Sequence, residues 1–320
     1  MSDRTVVDFL STVPLFQDWG EADLDALGRV LRRRTVRAGE TLWRQGEQGR
    51  EMAFVLDGAL RASLAVPGDR GMDIADAGPG DMVGEIALLD GGPHTMNVGV
   101  AETATLLLLG RPDFAALLAP LAPAAFALRR RLARLLTDRH RVQLRHLAAS
   151  LGSEATAGTE RADARLEASG PPDSRYVRRL ATFHEFDSLA LWSFLTAGTY
   201  GGCPAGQPLV VECVPSAACY LTINGAVEKV LVRGDRRIRV GLAGPGAAFG
   251  YESLIDGGPS PITAITRERS LLLVIERHAF ETLFHGEDAR SRVFLDVILG
   301  DLVATLRETM RPQARLAASL

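Results

Sequence analysis

The feature that most constrains the fold of this chain is an internal repeat. Residues 83–98 read VGEIALLDGGPHTMNV, and 166 positions later residues 249–264 read FGYESLIDGGPSPITA. Glycine-anchored matches in the same register pair residues 38–40 with 205–207, 56–58 with 223–225, 78–80 with 244–246, and 90–93 with 256–259. A repeat of this length predicts two domains built on one plan. The 320 residues are enough for each domain to bury its own core.

Each copy carries the signals of short strands between turns. Apolar or alternating runs bounded by glycine and proline turns cover residues 41–43, 52–56, 60–66 and 103–109. Many short strands without a long βαβ pattern predict a jelly-roll barrel. Helical periodicity predicts flanking helices at 21–33 and 112–151. We therefore expect a mainly β fold with flanking helices, arranged as two tandem jelly-roll β-barrels: a first domain at 1–151, a linker at 152–173 and a second domain at 174–320.

The composition excludes several classes of protein. A net charge of −3 and a pI near 6.1 give no overall basic surface of the kind that nucleic-acid binders show. The first ten residues lack the apolar core of a signal peptide, and no apolar run approaches membrane-spanning length. We therefore expect a cytoplasmic protein with no membrane partner. The three cysteines, Cys203, Cys213 and Cys219, lack zinc-site spacing and are odd in number, so buried thiols are expected.

The first copy resembles the cyclic nucleotide-binding domain family along nearly its full length. The resemblance is carried by VRAGE with RQGE, FVLDG, GPGD and GEIALL, at residues 36–40, 44–47, 54–58, 78–81 and 84–89. The second copy resembles the family more weakly, and together the copies cover roughly residues 9–150 and 180–312. The resemblance implies barrels of the cyclic nucleotide-binding type, whose ligand is cyclic AMP or cyclic GMP.

The resemblance places a phosphate-binding segment at residues 84–95, named the first cassette, with its counterpart, the second cassette, at residues 250–261. A glycine-rich turn that enters a short helix directs backbone N–H groups at one spot, which suits a phosphate. In the family's usual pattern, a glutamate binds the ribose hydroxyls and an arginine after the proline neutralises the cyclic phosphate. The predicted ligand-binding residues of the first cassette are Gly84, Glu85, Ile86, Ala87, His94 and Thr95.

The two cassettes depart from that pattern to different degrees. His94 stands in the arginine position of the first cassette, where a histidine can still donate a hydrogen bond and become charged. The second cassette keeps Gly250 but has Tyr251 at the glutamate position and Ser260 at the arginine position. Glu252 follows one residue later and is expected to face another way. The second site is therefore predicted to be degenerate, in a barrel used for packing or partner contact.

The helix after the first copy is rich in arginine and admits three interpretations. An apolar stripe predicts a homodimer seam through residues 124–151, with members Leu128, Leu132, Leu135, Val142 and Ala149. A basic patch for nucleic acid or an acidic partner is the second interpretation. The third is an ordinary helix with a barrel-facing stripe and a solvated arginine face, which we favour over nucleic acid.

Neither direct DNA binding nor catalysis is expected. About 45 residues follow the last predicted barrel strand and they predict helices, whereas a DNA reader needs a recognition helix, usually in a helix-turn-helix. The pairs His140 with His146 and His278 with His285 have no glutamate or cysteine at metal-ligand spacing, so we expect no metal and solvated or capping histidines. No nucleophile elbow, Walker loop or pair of catalytic carboxylates occurs.

These observations predict a non-catalytic regulator. Its first barrel binds a cyclic nucleotide or a similar anion, and movement of the following helix signals to an unidentified protein effector. The alternative is a ligand-free scaffold that uses both barrels for protein contacts.

Overall fold

The computed structural model describes residues 3–65, 72–149, 164–184, 186–233 and 236–317. The chain divides into two compact units, Met1–Leu132 with Gln313–Leu320 and Ala133–Pro312. The boundary between residues 132 and 133 lies within a single long helix, Pro123–Ala149. This helix therefore contributes residues to both units.

The first unit contains a six-stranded antiparallel sheet flanked by helices. Its strands are β1 (Arg32–Val36), β2 (Thr41–Trp43), β3 (Glu51–Leu64), β4 (Met72–Ala77), β5 (Met82–Val83) and β6 (Asn97–Gly110). Its helices are α1 (Asp3–Thr12), α2 (Glu21–Val30), α3 (Glu85–Asp90), α4 (Arg111–Leu118) and the beginning of α5 (Pro123–Ala149), with a 3₁₀ turn at Pro14–Phe16. The strand order is β1-β6-β3-β4, with β2 paired to β6 and β5 to β3. Apolar side chains on the buried face of this sheet form the core, among them Val36, Trp43, Ala53, Val55, Leu60 and Leu106.

The strand β3 is one bent strand where the sequence predicts two. Gly58, in the Asp-Gly pair that suggests a turn, has a φ of 84°. A Cβ at Gly58 would lie 2.3 Å from the carbonyl oxygen of Thr103 on β6, so only glycine fits this approach. The register with β6 shifts on both sides of Gly58. A β-bulge therefore bends the strand while the pairing continues.

The second unit contains two antiparallel sheets. Its strands are β7 (Glu167–Ser169), β8 (Thr199–Cys203), β9 (Pro208–Val210), β10 (Ala218–Asn224), β11 (Val227–Arg233), β12 (Arg236–Ala243), β13 (Ala248–Phe249), β14 (Thr263–Thr266) and β15 (Ser270–Glu276). One sheet has the order β13-β10-β15-β8-β7 and the other β12-β11-β14-β9. Its helices are the remainder of α5, α6 (Ser174–Val177), α7 (Ser188–Leu195), α8 (Glu252–Asp256), α9 (Arg277–His285) and α10 (Ala289–Ala317).

The predicted fold class, mainly β with flanking helices, is confirmed, and several details differ. The helix predicted at 112–151 is divided into α4 and α5, because Pro123 begins a new helix. Of the predicted linker 152–173, residues up to 163 lie outside the described part, while β7 pairs with β8. The prediction of buried thiols holds for Cys203 and Cys219 and is wrong for Cys213, which is exposed in a turn with a φ of 65°. Within the described residues, no helix combines the length and apolarity needed to cross a bilayer.

Candidate functional site

The backbone of the first cassette depends on Gly84. This residue has a φ of 90° and connects β5 to α3. A Cβ at Gly84 would lie 2.9 Å from the indole of Trp43 and 3.1 Å from the carbonyl oxygen of Glu51. The first N–H groups of a helix have no carbonyl partner within that helix, and in α3 these are the N–H groups of Glu85, Ile86 and Ala87. A turn of this kind, leading into the N-terminus of a helix, is one that proteins use to bind anions.

The side chains at the start of α3 are enclosed by the barrel. Glu85 is only 1% exposed, and Ile86 and Ala87 beside it are also buried. A Cβ at Gly49 would lie 2.2 Å from the Cβ of Ala87, so the loop after β2 packs directly on the helix. The Gly49 N–H donates to the carbonyl oxygen of Gly92, 3.2 Å away, which holds this loop against the cassette. The Glu85 carboxylate is thus held within an enclosed wall of the barrel.

His94 forms part of the wall of the first site. Its imidazole stacks on the indole of Trp43, with ring centroids 4.4 Å apart and planes 10° apart. The backbone N–H of His94 donates to the carbonyl oxygen of Glu47 at 2.7 Å, and its backbone carbonyl oxygen accepts from the Gly46 N–H at 2.9 Å. The residue is 5% exposed, and Thr95 after it is half-buried. An aromatic contact therefore fixes the side chain at the arginine position.

The turn of the first cassette is closed by local hydrogen bonds. The Asp90 carboxylate accepts from the Gly92 N–H at 2.8 Å, and the Gln48 side-chain amide donates to the Gly91 carbonyl at 2.6 Å. The Arg111 guanidinium lies over Gly91, within 2.3 Å of the position that a Cβ would occupy. This arginine therefore covers the turn from within the same domain.

The second cassette has the same backbone and a different interior. Gly250 has a φ of 79°, as the turn into α8 requires. Tyr251 is fully buried, and its hydroxyl donates to the Asp301 carboxylate on α10 at 2.6 Å. Burial raises the pKa of Tyr251 well above its ordinary value, and the charges of Asp301 and Glu252 raise it further. The residue at the glutamate position is therefore a neutral donor to the protein itself.

A buried lysine shares a hydrogen-bond partner with Tyr251 in the second unit. In the first unit Ala62 pairs with Ala75 and Val98, and at the matching register of the second unit Lys229 pairs with Gly241 and Ala264. The Lys229 ammonium donates to Asp301 at 3.1 Å and to Thr305 at 2.9 Å. Both side chains of this ion pair are almost fully buried. A long charged side chain thus occupies in the second barrel the position that a methyl group has in the first.

Ser260, at the arginine position of the second cassette, also bonds internally. Its hydroxyl donates to the Ile262 carbonyl at 2.8 Å, and its own backbone pairs with the loop at Cys213 and Val214. It is 3% exposed. The expected loss of both charged contacts is consistent with this arrangement, in which each substituted residue bonds to its own domain.

Glu252 faces α5, in the second unit. The Nδ1 of His140 lies 3.5 Å from its Oε1, and both side chains are buried. Burial alone would raise the pKa of Glu252, but the imidazole of His140 and the charge of Lys229 outweigh it and hold the pKa below its ordinary value. The prediction of a solvated or capping histidine is therefore wrong for His140, while His146, His278 and His285 are exposed.

The predicted homodimer seam on α5 is divided by its surroundings. Leu128 and Leu132 are buried in the first unit, whereas Val142 and Ala149 are exposed. The face of α5 that is buried in the second unit runs through Ala133, Leu136, His140, Gln143, Leu144 and Leu147. Because part of the predicted stripe is already covered within one chain, it does not form a continuous exposed seam.

Sequence reasoning missed three residues that determine the second site. Lys229, Asp301 and His140 come from a strand and two helices distant in sequence, and only Lys229 carried a signal, as the single lysine of the chain. Within the described residues, no group of three or more His, Cys, Asp or Glu side chains is arranged to hold a metal ion.

Comparison with known proteins identifies the family. The model of the cyclic nucleotide-binding domain matches residues 33–120 and 203–287. The chain therefore belongs to the cyclic nucleotide-binding domain family and carries two such domains in tandem, each of the jelly-roll type. This result confirms the predicted family, the fold class, and cyclic nucleotides as the ligand class of the family.

Curated relatives match single segments of the chain. A cyclic nucleotide-gated potassium channel of Mesorhizobium japonicum is 42% identical over 105 residues, which are 33% of this chain and 28% of the channel. The cyclic AMP receptor protein of Thermus thermophilus is 31% identical over 125 residues, which are 39% of this chain and 58% of that protein. A cAMP-dependent protein kinase regulatory subunit of Yarrowia lipolytica is 31% identical over 118 residues, which are 37% of this chain and 31% of that subunit. The chain thus spans less than two thirds of each of these relatives.

Solved structures are similar at low sequence identity. The regulatory domain of Toxoplasma gondii PKA with cAMP is 20% identical, with a TM-score of 0.36 over 89% of this chain and 93% of that one. A cyclic nucleotide-binding domain from Methylobacillus flagellatus is 22% identical, with a TM-score of 0.39 over 43% and 78%.

Proposed function

We propose that the first domain binds a cyclic nucleotide and signals through α5 to a protein effector, while the second domain binds no nucleotide. The observation that carries this proposal is the contrast between matched positions. The first domain combines the buried Glu85 of its cassette with Ala62 on β3, whereas the second has Tyr251 in its cassette and Lys229 on β11, both bonded to Asp301. One site therefore keeps the chemistry for a ligand, and the other is filled by its own side chains.

Each group of the first cassette has a role in this proposal. The N–H groups at the start of α3 bind the cyclic phosphate, and the dipole of that turn favours its negative charge. The Glu85 carboxylate accepts hydrogen bonds from the ribose hydroxyls. The Thr95 hydroxyl and the His94 imidazole face the phosphate from the end of the turn.

His94 predicts a weakened site. A neutral imidazole offers one donor where a guanidinium offers a charged fork, so the substitution forgoes a bond of roughly 1.5–3 kcal/mol. Affinity is then expected to be about ten- to a hundredfold lower than with arginine. The stacking of His94 on Trp43 is compatible with arginine, because a guanidinium also stacks on an indole.

The beginning of α5 is the element that can transmit binding. Phe126, Leu128 and Leu132 are fully buried in the first unit, so a change in that barrel repositions the helix. A non-catalytic role and a protein effector agree with the names of relatives that are kinase regulatory subunits and gated channels. The absence of direct DNA binding stays a prediction, which a gel shift with duplex DNA at physiological salt tests.

The test is a calorimetric titration of three proteins with cyclic AMP and cyclic GMP. Wild type is expected to bind weakly, His94→Arg about ten- to a hundredfold more tightly, and Glu85→Ala more weakly than wild type. Negligible heat for all three proteins, the arginine variant included, would overturn the proposal. That outcome would favour the alternative of a scaffold whose two domains bind no ligand.

A further inference from the structure

The second cassette binds a side chain of α5. The Arg141 guanidinium forms a two-pronged contact with Asp256 at the end of α8, from Nε to Oδ2 and from Nη2 to Oδ1 at 2.9 Å. Its third nitrogen donates to the carbonyl oxygen of Pro259 at 2.8 Å. The two side chains are only 15% and 22% exposed. Paired, charge-assisted bonds of this kind are specific for a guanidinium.

The neighbouring residue of α5 makes a second polar contact with the same cassette. His140 lies 3.5 Å from Glu252, at the start of α8. Adjacent residues of α5 therefore meet carboxylates at both ends of α8. The position that matches Glu252 in the first cassette is the apolar Ile86, so this carboxylate is particular to the second.

The first cassette shows why its counterpart can receive a helix. In both turns the aspartate accepts from the second glycine at 2.8 Å, at Asp90 and at Asp256. The first turn is covered by Arg111 of its own domain. The matching residue of the second domain, Arg277, donates instead to the Ser216 carbonyl. The second turn is thus left for Arg141, whose Nη2 would be 3.3 Å from a Cβ on Gly258.

We propose that the second cassette is a receptor for a helix that presents adjacent histidine and arginine, and that its occupant is residues 133–149 of α5. Two carboxylates at the ends of α8 repel a phosphate and select an imidazole and a guanidinium. This assignment goes beyond the proposed function, since it concerns the second domain and holds with or without a nucleotide in the first.

The polar face of α5 makes this docking reversible. Thr137, His140 and Gln143 follow one another at three-residue spacing on that face. The Thr137 Oγ1 and the Gln143 Oε1 are buried atoms with no hydrogen-bond partner among the described residues, whereas the His140 Nδ1 faces Glu252 at 3.5 Å. Buried polar atoms without partners cost free energy that is recovered when water reaches them. The free-energy difference between the docked and undocked states of α5 is therefore smaller than it would be for an apolar interface of the same size.

Docking is tested by hydrogen exchange of the full chain, followed over peptides within residues 133–149. Arg141→Ala and Asp256→Asn are each expected to accelerate exchange there about ten- to a hundredfold. Asparagine still accepts from the Gly258 N–H through its one carbonyl oxygen, but its NH2 group replaces the oxygen that accepts from the Arg141 Nε, so both the charge and one prong of the contact are removed. The double variant should exchange no faster than the faster single variant, because both remove one interaction. Arg145→Ala, on the exposed side of the same helix, is the matched control and should stay within about twofold of wild type.

Two results would overturn the proposal. One is exchange of residues 133–149 within about twofold of wild type in both single variants. The other is purely additive effects in the double variant. Exchange in β10 and β15 reports the integrity of the second domain. If Asp256→Asn disturbs those strands, Arg141→Lys decides, because it leaves the cassette intact and keeps the charge but loses the fork. It should accelerate exchange less than Arg141→Ala, and equal effects of the two would contradict recognition of a guanidinium.

Discussion

At the scale of single residues, Gly84 sets the shape of the first cassette, and alanine there should be costly. The left-handed backbone alone costs roughly 1–2 kcal/mol, and crowding against the Trp43 indole and the Glu51 carbonyl adds about 1–3 kcal/mol. Gly80 is the matched control, since its φ is 91° and no atom lies within 4 Å of its Cβ position. Denaturant unfolding should show that Gly84→Ala loses clearly more than Gly80→Ala. Equal losses of unfolding free energy in the two variants would mean that the Trp43 indole does not resist a Cβ at position 84.

The sequence predicts residue roles only where a local pattern carries them. Gly84 and Glu85 are predictable because a turn and a short helix lie together in the chain. The stacking of His94 on Trp43 joins residues 51 positions apart, and no periodicity indicates it. The same holds for Lys229, whose partner Asp301 follows 72 residues later. Long-range polar contacts of this kind arise from the packed fold and leave no local signal.

At the scale of elements, α10 and β11 are joined through Asp301. Its carboxylate accepts from Lys229, Tyr251 and the Ala248 N–H, all of them buried. Asp301→Ala leaves an ammonium buried without its counter-charge, so the loss of unfolding free energy should reach about 3–5 kcal/mol. Denaturant unfolding followed by tryptophan fluorescence in a Trp19→Phe, Trp43→Phe background, where only Trp192 remains, measures it. The control is Asp296→Ala, on the same helix in a more exposed pair, which should cost about 1 kcal/mol or less. Comparable losses of unfolding free energy in the two variants would show that the hydrogen bonds accepted by Asp301 do not stabilise the packing of α10.

The contact of α5 with α8 should depend on pH through Glu252. Its pKa is lowered in the folded protein from an ordinary value of 4.5. A carboxyl with a lowered folded pKa stabilises above its unfolded pKa and loses that contribution as pH falls through the folded one. The difference in unfolding free energy between wild type and Glu252→Gln should therefore be largest above about pH 4.5 and shrink below it. A difference that does not change with pH would show that the charge of Glu252 is not what stabilises this contact.

Element types were predictable, and their limits were less so. The strand at β15 and the helix at α2 follow from apolar runs of the right period. The predicted break in β3 was wrong because Gly58 serves a bulge inside a strand rather than a turn between strands. A glycine with positive φ satisfies both requirements, so the sequence alone does not distinguish them.

At the scale of the whole molecule, the repeat produced two domains of one fold with different interiors. The residues that recur, such as Gly84 with Gly250 and Asp90 with Asp256, shape turns. The residues that differ, such as Glu85 with Tyr251 and Ala62 with Lys229, change the size and the charge of the side chains in the interior. A family match to both copies therefore establishes the fold of each, while the number of working sites depends on side chains that the match does not weigh.

The stoichiometry of binding tests this division directly. Calorimetry on the full chain, with His94→Arg to raise affinity, should give one cyclic nucleotide per chain, because in the second domain the buried Lys229 and Tyr251 are bonded to Asp301. In Trp192→Phe, Trp19 and Trp43 report the first unit, and ligand at a hundred times its Kd should stabilise that unit by about 2.7 kcal/mol. The second unit, followed by hydrogen exchange in β10 and β15, should gain much less. Two bound nucleotides per chain, or stabilisation of the second unit alone, would contradict a filled second site.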